Sequence, residues 1–203
     1  MGGRSGESAL NSSHGPQYFF VSGHCKRHSK NQDSKKMNYK PKDGFPYYLE
    51  FVKDKDYLTS FTSETTFSFL KSISEEKSLY RYEPNKWNIK QIVGHITDHE
   101  RIKSYRAFLM SRKESVSLWG YDQNFLVENS RFEELTMQNL VTDFMNVRKA
   151  SISFIELLSK SQLKIKGFAG KYEVTLEDFI KSIIGHEIHH INIIKERYIL
   201  KLN

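Results

Sequence analysis

The chain has a single cysteine, Cys25, in 203 residues, so no internal disulfide can staple it and its fold must come from packing. Cys25 sits near His24 and His28 in a stretch with no hydrophobic period, and reads as an incidental residue there rather than a reactive thiol. No run approaches the roughly 20 apolar residues of a membrane helix. Tyr18-Phe-Phe-Val21 is too short for a signal-peptide core, and Gly15 and Pro16 precede it. Together these absences predict a soluble, cytoplasmic protein. A strong excess of one charge is also missing where it would matter. The net charge is +7, but Arg4, Lys26, Arg27, Lys30, Lys35 and Lys36 face only Glu7 and Asp33 in residues 1–36, which leaves +3 for residues 37–203. So small a balance on a mixed-sign surface predicts solubility rather than nucleic-acid binding.

What is present describes an ordinary globular chain. Hydrophobic residues make up 38%, charged residues 27%, and only four prolines interrupt it. The length suits one domain with an extension. Residues 1–36 are rich in Gly, Ser, Asn, His and Lys and predict a disordered N-terminal extension. Met37 follows directly, and the sequence leaves open whether it is the biological start. Residues 37–203 predict a single helical domain. Its lead-in, residues 39–56, carries Phe45, Tyr47, Tyr48 and Phe51 between turn residues and predicts an irregular segment packed on the domain. Apolar spacing then predicts four helices, at about Tyr57–Ser72, Asn88–Ser111, Met137–Leu158 and Leu176–Leu200. Thr175 with Asp178 forms a capping-box-like start for the last. A long crossover, Arg112–Thr136, separates the second and third helices, and Gly167 and Gly170 mark a short hairpin before the fourth. The fold class expected is all-α, a four-helix bundle with one long crossover loop.

The fourth helix carries the most informative spacing, Gly185-His-Glu-Ile-His-His190. At 100° per residue from Ile183, the apolar stripe of Leu176, Phe179, Ile180, Ile183 and Ile194 includes His190 at about 340° and borders His186 at about 300°. His189, at about 240°, points away. Two core-side histidines one turn apart can share a metal ion, or can bond ordinary polar neighbours. Glu187 and Arg197 fall near the same stripe and read either as ion-pair groups inside the bundle or as side chains snorkelling to its ends, the second being favoured for Arg197. A third ligand must come from another helix. The second helix offers His95 and His99 on its apolar side, with Asp98 at the border, and periodicity does not choose between the two histidines. Glu100 and Arg101 read as a solvated face. Ile184, Ile188 and Ile191 extend the apolar surface of the fourth helix, which suits either a homodimer or packing under the N-terminal aromatic segment.

These residues resemble a known family. Tyr82-Glu-Pro-Asn-Lys-Trp-Asn-Ile-Lys90, Gly94-His95 with Asp98 and Glu100-Arg-Ile102, Tyr105-Arg-Ala107, Gly120-Tyr-Asp-Gln123, Gly185–His190 and Glu196-Arg-Tyr198 occur in the order of the DinB-like superfamily. The resemblance spans about Tyr47 to Tyr198, and residues 1–36 have no counterpart. It implies a four-helix bundle holding one divalent metal on three histidines, here His95, His186 and His190. His99 departs from the pattern and is expected to hydrogen-bond at the edge of the site. Three histidines leave metal positions open, and histidine-only ligation suits Zn²⁺ or Ni²⁺ first, then Mn²⁺, Fe²⁺ or Co²⁺. The resemblance implies a metal-dependent hydrolase or a thiol-dependent S-transferase acting on a small molecule, with a low-molecular-weight thiol as partner in the second case; the alternative is a non-catalytic, stress-related helical bundle whose metal is structural. No general base is evident in the sequence.

Overall fold

The computed structural model describes residues 37–114 and 120–200. The disordered extension expected for residues 1–36 lies outside the described residues, as do Trp119 and residues 201–203.

The aromatic lead-in is not irregular, as the sequence suggested. After a 3₁₀ turn at Pro41–Asp43 it forms helix α1, Phe45–Glu50, with Pro46 in the first turn, where a missing N–H costs nothing. The first predicted helix is split. Helix α2 covers Tyr57–Phe61, capped by Asp56, and α3 covers Thr65–Lys71. The break falls in Thr62-Ser63-Glu64-Thr65. There the Thr62 hydroxyl donates to the Leu58 carbonyl and the Ser63 hydroxyl accepts from the Thr65 amide, so side chains compete for the backbone groups a helix would use. Helix α4, Glu75–Ser78, follows with Ser74 as its N-cap.

Helix α5, Ile89–Ser111, begins where the sequence placed it, with Asn88 and Gln91 forming a reciprocal capping box. The crossover after it carries a short helix, α6, Gln123–Glu128, started by the Asp122 carboxylate. Helix α7 runs Met137–Glu156 from a Thr136 cap. The expected hairpin is present after α8, Lys160–Leu163. Strands β1, Lys166–Ala169, and β2, Tyr172–Thr175, pair antiparallel, with Phe168 opposite Glu173. Gly170 takes the positive φ of 61° that their two-residue turn requires. Helix α9, Leu176–Ile193, starts on the predicted Thr175 cap. Beyond it the expected α-helix changes winding. Ile194–Ile199 is π-helical, closed by Leu200 N–H donating to the Lys195 carbonyl at 3.0 Å.

The bundle is formed by α2 with α3, then α5, α7 and α9. Helix α5 packs on both α7 and α9, while α1 lies along α9. Two apolar clusters fill its ends. One gathers Phe67, Leu70, Ile92, Phe144, Ile194 and Tyr198; the other gathers Phe61, Ala107, Ile155, Phe179, Ile180 and Ile183. Ile184 and Ile191 are buried within these clusters, and Ile188, like Phe45, Leu49 and Phe51 of the lead-in, is partly buried against the second.

Between the clusters lies a polar belt. Glu100 is only 1% exposed, so its assignment to a solvated face was wrong; Arg101, its neighbour, is exposed as expected. The Arg148 guanidinium donates through Nε to both Glu100 oxygens, at 3.0 and 3.1 Å, and through Nη2 to Glu100 at 2.8 Å and to Glu187. Its Nη1 donates to the Phe61 carbonyl, and Thr66 donates to the other Glu187 oxygen. Phe61, Phe67 and Phe144 rings surround the cation. One arginine thereby ties α5, α7 and α9 to α2 and α3.

Two of the three histidines, His95 and His186, follow a glycine that admits a close neighbour. A Cβ on Gly94 would lie 2.4 Å from the Phe132 ring, and one on Gly185 would lie 1.9 Å from the Tyr48 carbonyl oxygen. Helix propensity alone would make Gly185→Ala stabilising by about 1 kcal/mol. The close approach reverses the sign, so Gly185→Ala should lower the thermal midpoint, and a raised midpoint would contradict the packing. Arg148→Met would strand two buried carboxylates and should cost about 3–5 kcal/mol in denaturant titration. A loss below about 1 kcal/mol would mean the network is not closed as described.

Candidate metal centre

Helix α5 presents His95 to α9, where His186 and His190 stand one turn apart. The His186 Nε2 lies 3.1 Å from His95 Nε2 and 3.1 Å from His190 Nε2. One nitrogen from each ring falls within 4.8 Å of the others, the only such group of ligating side chains among the described residues. His95 and His186 are each 3% exposed, and His190 is half-buried.

This convergence fits a divalent ion. Ligand distances of about 2.0–2.1 Å at octahedral to tetrahedral angles put neighbouring nitrogens about 2.8–3.4 Å apart. Three neutral imidazoles turning Nε2 toward one point also place lone pairs against one another unless a cation or shared protons lie between. Burial, reinforced by the neighbouring histidines, pushes the His95 imidazole down to about 4 and His186 and His190 well below the ordinary value. The rings are therefore neutral at physiological pH, the state that binds metal. His186 Nδ1 is buried without a hydrogen-bond partner among the described residues. A metal on Nε2 would leave the proton on that nitrogen, so it does not relieve this deficit.

The other candidate residues take surrounding roles. His99 stays outside the converging group. Its Nδ1 is 2.6 Å from the Tyr121 hydroxyl, and its ring stacks on His186 at 3.6 Å between centroids and 13° between planes. Parallel rings cannot aim their nitrogens at one ion, so His99 sits at the edge of the group, bonded as expected there. Burial pushes the Tyr121 phenol up to about 12, so it stays protonated and able to donate. His189 turns from the group, as helical phase required, but α1 covers it, with the Tyr47 hydroxyl 3.0 Å from its Nδ1. Asp98 pairs with Arg101 instead of entering the group. Glu187 takes the first of the two roles the sequence left open, an ion pair within the bundle, and Arg197 is exposed as favoured.

Two features were not foreseen. The Trp87 ring packs against His95 at 4.9 Å, while the Tyr198 hydroxyl donates to the Trp87 carbonyl at 2.5 Å, so the π-helical turn braces the wall beside His95. His190 also lines a cavity of about 350 Å³ with Tyr82, Asn85, Trp87, Gln123 and Tyr198 among its walls. Larger cavities lie elsewhere, but this one meets the histidine group. Trp87 and Gln123 belong to motifs that the sequence displayed, although spacing gave no means of placing either beside a histidine.

The pH dependence follows from burial. Each of these histidines has its folded pKa depressed, so the unfolded chain takes up protons first as pH falls below 6.5. Their contribution to stability is complete above 6.5 and is lost as pH descends toward about 4, the folded value for His95. Metal-free protein should show a falling urea midpoint across that window, and His95→Phe should flatten the fall. An unchanged slope in the variant would show that His95 is not buried neutral.

The fold and geometry agree with comparisons to known proteins. The chain is similar in structure to YfiT from Bacillus subtilis, described as a probable metal-dependent hydrolase with an unusual four-helix bundle topology. The two share 17% sequence identity with a TM-score of 0.59, over 80% of this chain and 90% of that one. At that identity the likeness establishes the fold. No curated protein matches the sequence significantly. The DinB superfamily profile matches residues 58–194, a span from α2 to the end of α9 that holds all three converging histidines. The chain belongs to the DinB superfamily.

Proposed function

We propose that this protein is a metal-dependent enzyme acting on a small molecule, with His95, His186 and His190 as ligands of one divalent ion. The observation that carries the proposal is the convergence of three histidines from two helices, with His186 Nε2 3.1 Å from Nε2 of both His95 and His190 and one nitrogen of each ring within 4.8 Å of the others. Zn²⁺ or Ni²⁺ suits this donor set best, with Mn²⁺, Fe²⁺ and Co²⁺ next. A bound divalent ion supplies Lewis acidity, lowering the pKa of a water or thiol that meets it.

The chain's own residues do the rest. His95 and His186 are sealed inside the bundle, whereas His190 borders the cavity, so approach is from the His190 side. Tyr121 and Trp87 hold His99 and His95 in place through a hydrogen bond and a ring contact. This opening favours an enzyme over a bundle whose metal is purely structural, because structural sites are closed. Among the described residues no carboxylate lines the cavity, so none stands ready there as a base. That favours chemistry in which the nucleophile arrives already activated, either as water in a hydrolase or as a low-molecular-weight thiol in an S-transferase. A reducing cytoplasm would supply such a thiol. Residues 1–36 play no part in this reading, which treats them as an extension of the catalytic domain.

Purified protein should hold about one divalent ion per chain by elemental analysis, and His190→Ala should lose most of it. Full metal content in that variant would sink the ligand assignment. Turnover of a model electrophile that requires added thiol would select the transferase, and ester or amide cleavage without thiol the hydrolase. Metal that raises the thermal midpoint without turnover in either assay would favour the structural site instead.

A further inference from the structure

The cavity beside His190 has a distinctive lining. Asn85 and Lys86 come from the loop before α5, Gln123 and Asn124 from the first turn of α6, and His190 with Ile193 from α9. Tyr82, Trp87 and Tyr198 add aromatic surface. Lys86 is the one lining residue with a fixed charge, and among the described residues its ammonium has no carboxylate partner. Nearby cations differ in this respect, since Arg81 pairs with Glu133 and Lys90 with Glu75.

We infer that this cavity is the substrate subsite of the proposed metal centre, and that it selects a small polar molecule bearing a carboxylate, which Lys86 anchors. The inference rests on the metal-enzyme reading for its reactive end, but not for its anion preference. The volume of about 350 Å³ falls at the small end of ligand cavities and suits a metabolite rather than a polymer. A carboxylate at Lys86 leaves the remaining chain of the molecule between three side-chain amides, which donate to and accept from polar groups, and the aromatic wall. An acidic residue in the lining would repel such a ligand, and none is there among the described residues. A cationic substrate would meet an unpaired ammonium with no counter-charge. Lys86 is exposed in the free protein, so it acts as a specificity residue reaching over the mouth of the cavity, away from the buried ligands.

Matched probes test this. Succinate and its neutral diamide, succinamide, would be titrated calorimetrically into the full chain, with and without bound Co²⁺, alongside Lys86→Met and Lys86→Arg. The expected result is tighter succinate binding in both forms, with about a fivefold preference lost in Lys86→Met and kept in Lys86→Arg, the scale of one solvent-accessible ion pair. Imidazole binding, followed by the visible Co²⁺ spectrum, should be the same in all three proteins, because Lys86 is not a ligand. Equal affinity for the two probes, or a preference that survives Lys86→Met, would overturn the inference. Succinate that binds only when Co²⁺ is present, and equally well in Lys86→Met, would show simple coordination to the ion and would also overturn it. Failure to bind Co²⁺ would instead count against the metal reading, while the titration of metal-free protein would still decide the role of Lys86.

Discussion

The structure depends on one buried cation. Arg148 on α7 holds Glu100 of α5 and Glu187 of α9 at the level where the two apolar clusters part. Burying three ionised groups is expensive, and the cost is offset only when the hydrogen bonds are complete. Here nearly every polar atom of the trio is engaged, with Phe61 and Thr66 supplying the remainder. The consequence is register. Glu100 follows His99 directly and Glu187 follows His186, so the network that fixes the carboxylates also fixes the helical positions beside them. A sliding of α5 along α9 by one residue would break the ion pairs and separate His95 from His186 together.

Packing of the backbone completes the same task. Gly94 and Gly185 precede His95 and His186, and each lets a neighbour approach closer than any side chain would permit. Phe132 fills the first gap and the Tyr48 carbonyl the second. Helix α1 is thereby pressed onto α9, where its Tyr48 ring lies 5.0 Å from His186 and its Tyr47 hydroxyl meets His189. The aromatic lead-in is therefore part of the wall around the histidines.

Much of this was legible in the sequence. The long helices α5, α7 and α9 followed from apolar spacing, and the cap of α9 from Thr175, because those signals are local; the Asn88 and Thr136 caps of α5 and α7 were not read. Helical phase turned His186 and His190 inward and His189 away. The choice of His95 over His99 was different: both lie on the same helix face, and only the family resemblance preferred one. The three-dimensional reason is the stacking of His99 on His186 and its bond to Tyr121, which is remote in sequence. Glu100 was misplaced because α5 was read with a single apolar stripe. It sits centrally, and Val93, Ile96, Glu100 and Ala107 form a second buried row at helical spacing. Arg148 left a similar trace between Phe144 and Ile155, where a charged residue occupies a core position. The split of the first helix was hidden because hydroxyl side chains decide it, and the π-helical turn had no sequence signal that periodicity could detect.

The proposed chemistry turns on which atoms meet the metal. A crystal structure of protein loaded with Zn²⁺ or Co²⁺, with the ion located by its anomalous scattering at the absorption edge, examines this most directly. The predicted result is one ion bound by Nε2 of His95, His186 and His190, with its remaining coordination open toward the cavity at Trp87 and Gln123. An ion held by His99 in place of His95, or no anomalous peak within the histidine group, would contradict it.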